Sequence, residues 1–235
     1  MRTSERRQLK QDKFAETTKD IISSAVENRA SIMRTVIVAA VIVVVVGGSW
    51  WYWSSHTEQA NEALGKAVET FNAPLLPPGS NSPGVNFHSA LERARAAHGQ
   101  LQQVADRFGH TRPGQVARYL AGLAAVDAGD VNSGEAELKR AGESGDKDLA
   151  ALAKLALANV YRGANRNDDA LRLYRELIDH PTASVSKSTA ELELASLYEA
   201  TNQRAEAGKV YDQIISSDPQ AAAAEIAQQR LQAMK

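Results

Sequence analysis

The side chains of this sequence that could carry chemistry lie far apart. No two of its five histidines stand about three to five residues apart, the spacing that would put a metal-binding pair on one helix face. The absence of cysteine also excludes a thiolate zinc site, a cysteine nucleophile and a disulfide. His56 follows an aromatic cluster and is interpreted as a residue of a membrane interface. The other histidines are His88, His98, His110 and His180. We therefore predict no metal site.

The remaining reactive groups are interpreted as structural. Asp168 and Asp169 fall at the start of a predicted helix, where carboxylates complement the positive end of the helix dipole. Lys66 follows Gly65 but lacks the upstream glycine of a phosphate-binding loop, and no HExxH, calcium-loop or dinucleotide pattern occurs. We predict a protein without catalytic residues and without a cofactor, and therefore not an enzyme.

Charge is divided unevenly along the chain. Of 27 basic and 28 acidic residues, residues 1–34 hold eight and five, which gives this head a net charge of +3. The rest of the chain holds 19 and 23, a net charge of −4. Nucleic-acid binding needs a concentrated basic face, so this distribution predicts no nucleic acid partner.

An apolar segment follows the basic head. Residues 35–53, TVIVAAVIVVVVGGSWWYW, contain no charge and would span about 28 Å as a helix, close to the ~30 Å hydrocarbon core of a bilayer. Valine favours strands in water, but a lone segment in lipid satisfies its backbone amides only as a helix. We predict one transmembrane helix, with interface anchors at Arg34 on one side and at Trp50, Trp51, Tyr52 and Trp53 on the other.

The distribution of Lys and Arg predicts the orientation of this helix. Eight precede it and none occurs between Trp53 and Lys66, and the more basic flank normally stays in the cytoplasm. Residues 1–34 are thus predicted to be a cytoplasmic tail, either an amphipathic helix on the inner leaflet or a weakly ordered segment that only sets topology. A cleaved signal peptide is the competing interpretation, but the charged region is long for one and no Ala-x-Ala pair follows closely.

Beyond the membrane segment the sequence is typical of an all-α protein. Ala, Leu, Glu, Gln and Arg dominate, and prolines are confined to the breaks. Residues 54–114 predict a helical pair, at 57–71 and 87–108, joined by a Pro- and Gly-rich loop at 73–86. The motif GHTRPG at 109–114 ends this pair.

The rest of the chain repeats itself. Residues 115–141, 151–177 and 188–214 align with offsets of 36 and 37, and each predicts a helix, a turn and a second helix. Each has a small residue late in its first helix and another twelve positions later: Gly122 and Gly134, Ala158 and Ala170, Ala195 and Ala207. Four positions after the second small residue comes a bulky one: Leu138, Tyr174 or Tyr211. The pattern predicts two helices that meet closely at the small pair, with the bulky side chain filling the remaining groove.

This pattern resembles the tetratricopeptide repeat, whose period is about 34 residues. The second and third units also share a tyrosine, a turn asparagine and a helix-ending proline: Tyr161 and Tyr198, Asn165 and Asn202, Pro181 and Pro219. The first unit departs from the family at Ala125, in place of the tyrosine, and at Arg118, in place of an early aromatic. The resemblance implies a degenerate repeat at 54–114, and three repeats with a C-terminal helix at 115–235, in a solenoid that binds proteins. A plain α-helical bundle is the alternative.

The architecture as a whole is similar to that of the ancillary subunit of the bacterial SecYEG translocon, with a basic tail, one membrane helix ending in an aromatic cluster, and repeats beyond it. That resemblance implies an inner-membrane protein whose periplasmic repeats help newly exported proteins. Its implied partners are translocon subunits, a periplasmic chaperone, unfolded or amphipathic segments, and the lipid bilayer. A scaffold for envelope assembly or cell division is the alternative.

The family resemblance also implies where partners bind. The first helix of each repeat lines the concave surface in such arrays, which points to Tyr119, Leu123, Leu152, Leu155, Asn159, Arg162, Leu192, Ser196 and Glu199. The family's clamp for a peptide carboxylate uses a lysine one turn before an asparagine, but here Leu155 precedes Asn159. We therefore expect an apolar groove for an amphipathic or unfolded segment rather than a site for a C-terminal Asp. Packing of Leu155 and Leu192 against a neighbouring helix is the alternative for those two residues.

Overall fold

The computed structural model describes most of the chain, namely residues 29–77, 84 and 86–234. Within the first helix, the side chains of residues 29–32, 34–36 and 49–52 lie outside this description. The predictions for the tail before residue 29 and for the anchoring side chains of Arg34, Trp50, Trp51 and Tyr52 therefore fall outside the described part of the molecule. Trp53 is described and is exposed.

The described residues form nine helices and no strand beyond one isolated bridge. The helices are α1 (Arg29–Phe71), α2 (Ala90–Phe108), α3 (Arg112–Asp127), α4 (Val131–Gly142), α5 (Lys147–Gly163), α6 (Asn167–Asp179), α7 (Lys187–Ala200), α8 (Arg204–Ser217) and α9 (Ala222–Ala233). The chain divides into two compact units, Met1–Ser55 and His56–Lys235. The predicted all-α class is thus the fold of the described residues.

The first compact unit contains the apolar part of α1. Its described side chains are exposed, and Val43 and Val44 have 70% and 72% of their surface accessible. By length and composition alone, the stretch Ile37–Phe71 could cross a membrane, and none of its most apolar window is buried.

The helix α1 is longer than the sequence predicts. We expected a span at 35–53 and a separate helix at 57–71, but α1 runs through both without interruption. The connecting residues Ser54, Ser55 and His56 include neither a proline, which would remove a helical amide, nor a glycine, which would favour a left-handed helix end. The separate start of the second helix was therefore wrong.

The second compact unit begins with a helical pair, formed by the end of α1 and by α2. Ala60 and Ala67 pack against Ala97 and Leu101, and all four are almost fully buried. Between the same helices, the Thr70 hydroxyl donates to the Gln100 amide oxygen at 2.9 Å. This pair is the one predicted for residues 54–114.

The start of α2 is also different from its prediction. The helix begins at Ala90 rather than at Phe87, because Ser89 caps it by accepting the Glu92 N–H at 3.1 Å. Phe87 instead forms the isolated bridge with Leu75, in which the Leu76 N–H donates to the Phe87 carbonyl at 2.9 Å. The loop is therefore tied at its two ends.

Three helical pairs follow, as the repeat pattern predicts. Repeat 1 is α3 with α4, repeat 2 is α5 with α6, and repeat 3 is α7 with α8. Successive helices from α2 to α9 contact one another. The helix-ending role predicted for Pro181 and Pro219 is confirmed, since α6 ends at Asp179 and α8 at Ser217.

The turn inside each repeat has the same backbone conformation. Gly129, Asn165 and Asn202 have positive φ angles of 81°, 59° and 60°. In repeat 2 the Arg166 N–H then donates back to the Tyr161 carbonyl at 2.8 Å, which is the Schellman motif. Glycine and asparagine tolerate this left-handed conformation better than other residues, which explains the residue types at the turn.

The small residues lie where the two helices of each repeat cross. All six are buried. A Cβ atom on Gly122 would lie 2.7 Å from Leu138 Cγ, and one on Gly134 would lie 3.0 Å from the Gly122 carbonyl oxygen. Leu138, Tyr174 and Tyr211 are at most 1% exposed. The predicted arrangement of two small residues and one bulky residue is confirmed.

Arg118, the departure from the family pattern in repeat 1, is compensated by hydrogen bonds. Its guanidinium donates to Glu137 Oε2 at 2.9 Å and to the Ala105 carbonyl at 3.1 Å. The Arg118 and Glu137 side chains are only 17% and 6% exposed. Because both charges are paired, this polar contact replaces an aromatic without leaving a buried charge unsatisfied.

The helix α9 continues the register of the repeats. Ala227 follows Ala190 by 37 residues, and Ala190 follows Ala153 by the same interval, and all three are fully buried. Leu231 corresponds in the same way to Leu194. The helix packs on α8 and α7. It therefore takes the place of the first helix of a further repeat and covers the end of repeat 3.

Candidate protein-binding groove

An apolar groove lies between the first helices of repeats 1 and 2. The helices α3 and α5 form its walls, the start of α4 closes one end, and it encloses about 580 Å³. Five of the nine predicted binding residues line it, namely Tyr119, Leu123, Leu152, Leu155 and Asn159. The other lining residues are Val126, Asp127, Val131, Ala156, Val160, Gly163 and Ala164. We refer to this hollow as the groove.

The far end of the groove consists of residues that the repeat pattern did not predict. Val131 is the first residue of α4 and is 41% exposed, although nothing at the start of a helix requires an apolar side chain. Val126 lies one turn after Leu123 on the same face of α3. An exposed valine directly after the capping Asp130 is the signal that could have revealed this end.

Tyr119 places a hydroxyl group on the apolar wall. Its ring packs, partly buried, against the cluster that includes Leu138 and Leu157. Burial raises the pKa of Tyr119, so the hydroxyl stays protonated at neutral pH. Among the described residues no hydrogen-bond partner is present for it, and the group can donate to a ligand.

Asn159 provides a second polar group in the groove. Its amide oxygen accepts a hydrogen bond of 2.7 Å from the Tyr174 hydroxyl. Burial raises the pKa of Tyr174 to about 12, so that hydroxyl remains a donor. The bond occupies the amide oxygen and leaves both amide hydrogens of Asn159 available. It also orients the Asn159 side chain, at a position where the lysine of a carboxylate clamp is absent.

One end of the groove is negatively charged. Asp127 is the last residue of α3, is exposed, and has no ion pair or side-chain hydrogen bond with any described residue. Gly163 and Ala164 at the same end terminate α5. The carboxyl ends of both helices therefore add their partial negative charge to that of the Asp127 carboxylate.

The other predicted residues lie at later contacts between first helices. We define the first seam as the contact of α3 with α5, the second as that of α5 with α7, and the third as that of α7 with α9. In the second seam Arg162 donates to Glu193 Oε2 at 3.1 Å and to the Ser196 hydroxyl at 3.4 Å. Arg162 and Ser196 thus bind each other across the seam and do not line the groove.

The third seam carries a similar ion pair with the signs reversed. Glu199 lies 3.7 Å from Arg230, and these two residues stand 37 positions after Arg162 and Glu193. In the first seam the corresponding positions are Val126, 36 positions before Arg162, and Ala156, 37 before Glu193. Two seams are therefore bridged by charge at one equivalent point, whereas the first is apolar there and open.

The two leucines with an alternative interpretation differ from each other. Leu192 packs against the cluster of Ala195, Ala207 and Tyr211, as the packing alternative predicts. Leu155 both joins the interior cluster around Leu177 and lines the groove. Truncation of Leu155 would therefore disturb folding as well as binding, and it is a poor probe of the groove.

Two of the histidines take part in ring packing or in a contact with the backbone. The His56 ring meets the Phe108 ring edge to face, with centroids 5.0 Å apart, and His98 Nδ1 lies 3.1 Å from the Ala121 carbonyl oxygen. Asp168 and Asp169 lie in the first turn of α6, as expected. Within the described ranges, no three His, Asp or Glu side chains come together in a way that could hold a metal ion.

Comparison with known proteins agrees with this geometry. Residues 30–235 match the family model described as a tetratricopeptide repeat-like domain. Among solved structures, a putative kinesin light chain from Podosopora anserina with nearly identical TPR-like repeats has a TM-score of 0.53 at 14% sequence identity. The match covers 74% of this chain and 83% of that chain, and at this identity it shows the fold alone. No curated protein matches.

Proposed function

Because the chain belongs to the tetratricopeptide repeat-like domain family, we propose that it is a non-enzymatic, membrane-anchored protein that binds partner proteins through the groove. Repeats of this family form protein-interaction modules with extended binding surfaces. The observation that carries the proposed location is the contrast between the seams. The first seam is apolar and open at Val126 and Ala156, whereas an ion pair bridges the equivalent point of the second and third seams.

The proposed cellular setting is the bacterial inner membrane, with the N-terminus in the cytoplasm and the repeats in the periplasm. Its support is the charge of +3 on residues 1–34 and the exposed apolar side chains of α1. Buried in lipid, those side chains would no longer contact water, which is the arrangement that their composition favours.

The contrast between the seams suggests a direct test of the groove. We expect the double substitution Val126→Arg with Ala156→Glu to place an ion pair across the first seam, as Arg162 and Glu193 do across the second. Partner capture should fall about tenfold or more, because a desolvated charge pair would occupy the apolar contact surface. Retained helical content and thermal midpoint would show that the variant still folds.

The matched control places an arginine beside a native glutamate outside the groove. Ala222→Arg with Glu225 unchanged adds an arginine to the exposed start of α9, and partner capture should stay at the wild-type level. Full capture by the sealed variant would place the binding surface elsewhere on the chain and would contradict the proposal.

We further propose that the partners belong to protein export, namely translocon subunits, a periplasmic chaperone and the exported chains themselves. The support is the combination of basic tail, membrane segment and repeats in one chain. A photo-crosslinking amino acid at Tyr119, in the full-length protein in native membranes, should capture such partners. Capture of envelope-assembly or cell-division proteins instead would favour the scaffold alternative.

A further inference from the structure

Resting on the proposed function, we infer that the groove holds one amphipathic α-helix of a partner protein, with a Lys or Arg at the end beside Asp127. Three properties of the groove carry this inference: the scarcity of polar groups on its walls, its length, and the charge at one end.

The polar groups of the groove are too few for an extended peptide. Its walls are two helices, whose backbone N–H and C=O groups are already used within the helices except in the terminal turns. Only Tyr119, Asn159 and the terminal Asp127 offer polar side-chain atoms. An extended segment would bring unsatisfied backbone groups against apolar walls, at a cost of about 1–3 kcal/mol for each. A helix satisfies these groups internally, so the walls select a helical ligand.

The length of the groove fits a short helix. From Tyr119 to Asp127 the wall of α3 rises about 12 Å, and from Leu152 to Ala164 the wall of α5 rises about 18 Å. Two to three turns of a partner helix cover this distance. Apolar side chains one turn apart on one face of that helix would enter between the side chains of α3 and α5, as helices pack elsewhere in proteins.

The negative charge at one end of the groove favours a partner that has a positive charge there. The Asp127 carboxylate has no cationic partner in the described part of the chain, and it stands at the negative ends of two helices. Two arginines at the end of α5 and in the turn after it already have acidic partners, since Arg162 pairs with Glu193 at 3.1 Å and Arg166 with Glu135 at 2.8 Å. A basic side chain on the ligand supplies the missing positive charge.

The test uses designed peptides and the full-length chain in nanodiscs of zwitterionic lipid, with empty nanodiscs as the blank. The first peptide is a helix of about 14 residues with leucines one turn apart on one face and a lysine at each end of that stripe. The second replaces both lysines with glutamate. The third keeps the lysines and has a proline in the middle, which prevents a continuous helix. Fluorescence anisotropy measures each dissociation constant.

We expect the lysine peptide to bind at one copy per chain, about fivefold more tightly than the glutamate peptide and at least tenfold more tightly than the proline peptide. Asp127→Lys should reverse the order of the lysine and glutamate peptides. Asp212→Lys makes the same charge change on the exposed surface of α8 and should leave that order unchanged.

The possible outcomes separate this inference from the proposed function. If the sealed variant, Val126→Arg with Ala156→Glu, abolishes binding but Asp127→Lys leaves the order of the peptides unchanged, the groove binds proteins and the basic partner is wrong. If the proline peptide binds as tightly as the lysine peptide, the ligand need not be helical and the inference is refuted. If the sealed variant binds every peptide as tightly as the wild type does, both the inference and the proposed function are contradicted. Self-association of the chain that competes with the peptides would identify a second copy as the occupant and would also overturn the inference.

Discussion

At the scale of single residues, the packing of the repeats depends on glycines as much as on large side chains. The helices of repeat 1 meet at Gly122 and Gly134, and Leu138 fills the space beside them. Close contact of this kind allows no extra atoms, because protein interiors are packed about as densely as organic crystals. The cost of a single methyl group at such a position depends on what it meets.

Two glycines with different surroundings test this packing. Gly134→Ala places a Cβ 2.5 Å from Val126 Cγ2 and 3.0 Å from a backbone oxygen, so we expect a loss of about 1–3 kcal/mol of stability. Gly99→Ala is the matched control in α2, where a Cβ meets nothing within 4 Å. Alanine there should stabilise by up to about 1 kcal/mol, because it favours the helix. Thermal unfolding of the full chain measures both effects. If both substitutions change the stability in the same direction, the proposed register is contradicted.

A buried carboxyl provides a second residue-scale prediction. Glu191 is 4% exposed, and burial raises its pKa despite Lys187 Nζ at 3.7 Å. The folded state therefore binds this proton more readily than the unfolded chain does. Below the unfolded pKa of about 4.3 the carboxyl is protonated in both states, so it does not lower the stability of the fold. As the pH rises through the higher folded pKa, the buried carboxyl must ionise and the free energy of unfolding falls.

The substitution Glu191→Gln should remove that penalty while keeping an oxygen that can accept the hydrogen bond from Gln213. We expect a higher urea midpoint than the wild type at pH 7 and no difference at pH 4. Glu225→Gln, at an exposed position of α9, is the control and should change neither value. A midpoint lowered at pH 7 would show that the contact with Lys187 outweighs desolvation.

At the scale of helices, equivalent positions in successive repeats hold different kinds of residue. The point that joins α5 to α7 through Arg162 and Glu193 is occupied in the first seam by Val126 and Ala156. This ion pair and that of Glu199 with Arg230 in the third seam are both partly exposed, so each contributes at most about 1 kcal/mol to stability. Under the proposed function, their main effect is on which seam accepts a ligand.

We therefore expect that opening the second seam will create a second binding site. Arg162→Val with Glu193→Ala copies the residues of the first seam, and the lysine peptide should then bind at two copies per chain instead of one. Calorimetric titration measures this number. The control removes the ion pair of α8 with Glu206→Ala and Lys209→Val, and it should keep one site. A stoichiometry of one in the opened variant would mean that the ion pair does not close the seam.

At the scale of the whole molecule, one chain combines an apolar helix with an array of repeats. The described part of α1 exposes its valines, whereas the repeats bury a nearly continuous row of alanines. The two compact units therefore suit different surroundings. A membrane anchor would raise the local concentration of the groove for partners at the same membrane.

Topology can be tested on intact spheroplasts. With a tag at Met1, external protease should remove the repeats and leave the tag intact, because the basic head is predicted to stay in the cytoplasm. Detergent lysis should then expose the tag to the protease, which serves as the control. Loss of the tag with intact repeats would invert the topology, and release of the protein by a carbonate wash would argue against a membrane span.

The sequence alone determined the elements and their period. The spacing of small and bulky residues, the turn residues Asn165 and Asn202, and the helix-ending prolines predicted the three helical pairs, because these features act between residues near in sequence. Two helix boundaries were predicted wrongly, namely the start of α2 and the break between the two predicted parts of α1, because the nearby residues mark them only weakly.

The tertiary structure decided which part of the predicted surface is a groove. The nine predicted residues share one face of the first helices, and a helical pattern cannot distinguish a side chain that lines a hollow from one that bridges two repeats. Whether a seam is open depends on pairs such as Val126 with Ala156, or Arg162 with Glu193, which stand about 30 residues apart and meet only when the repeats stack. Stacking therefore joined five predicted residues in the first seam and paired Arg162 with Ser196 in the second.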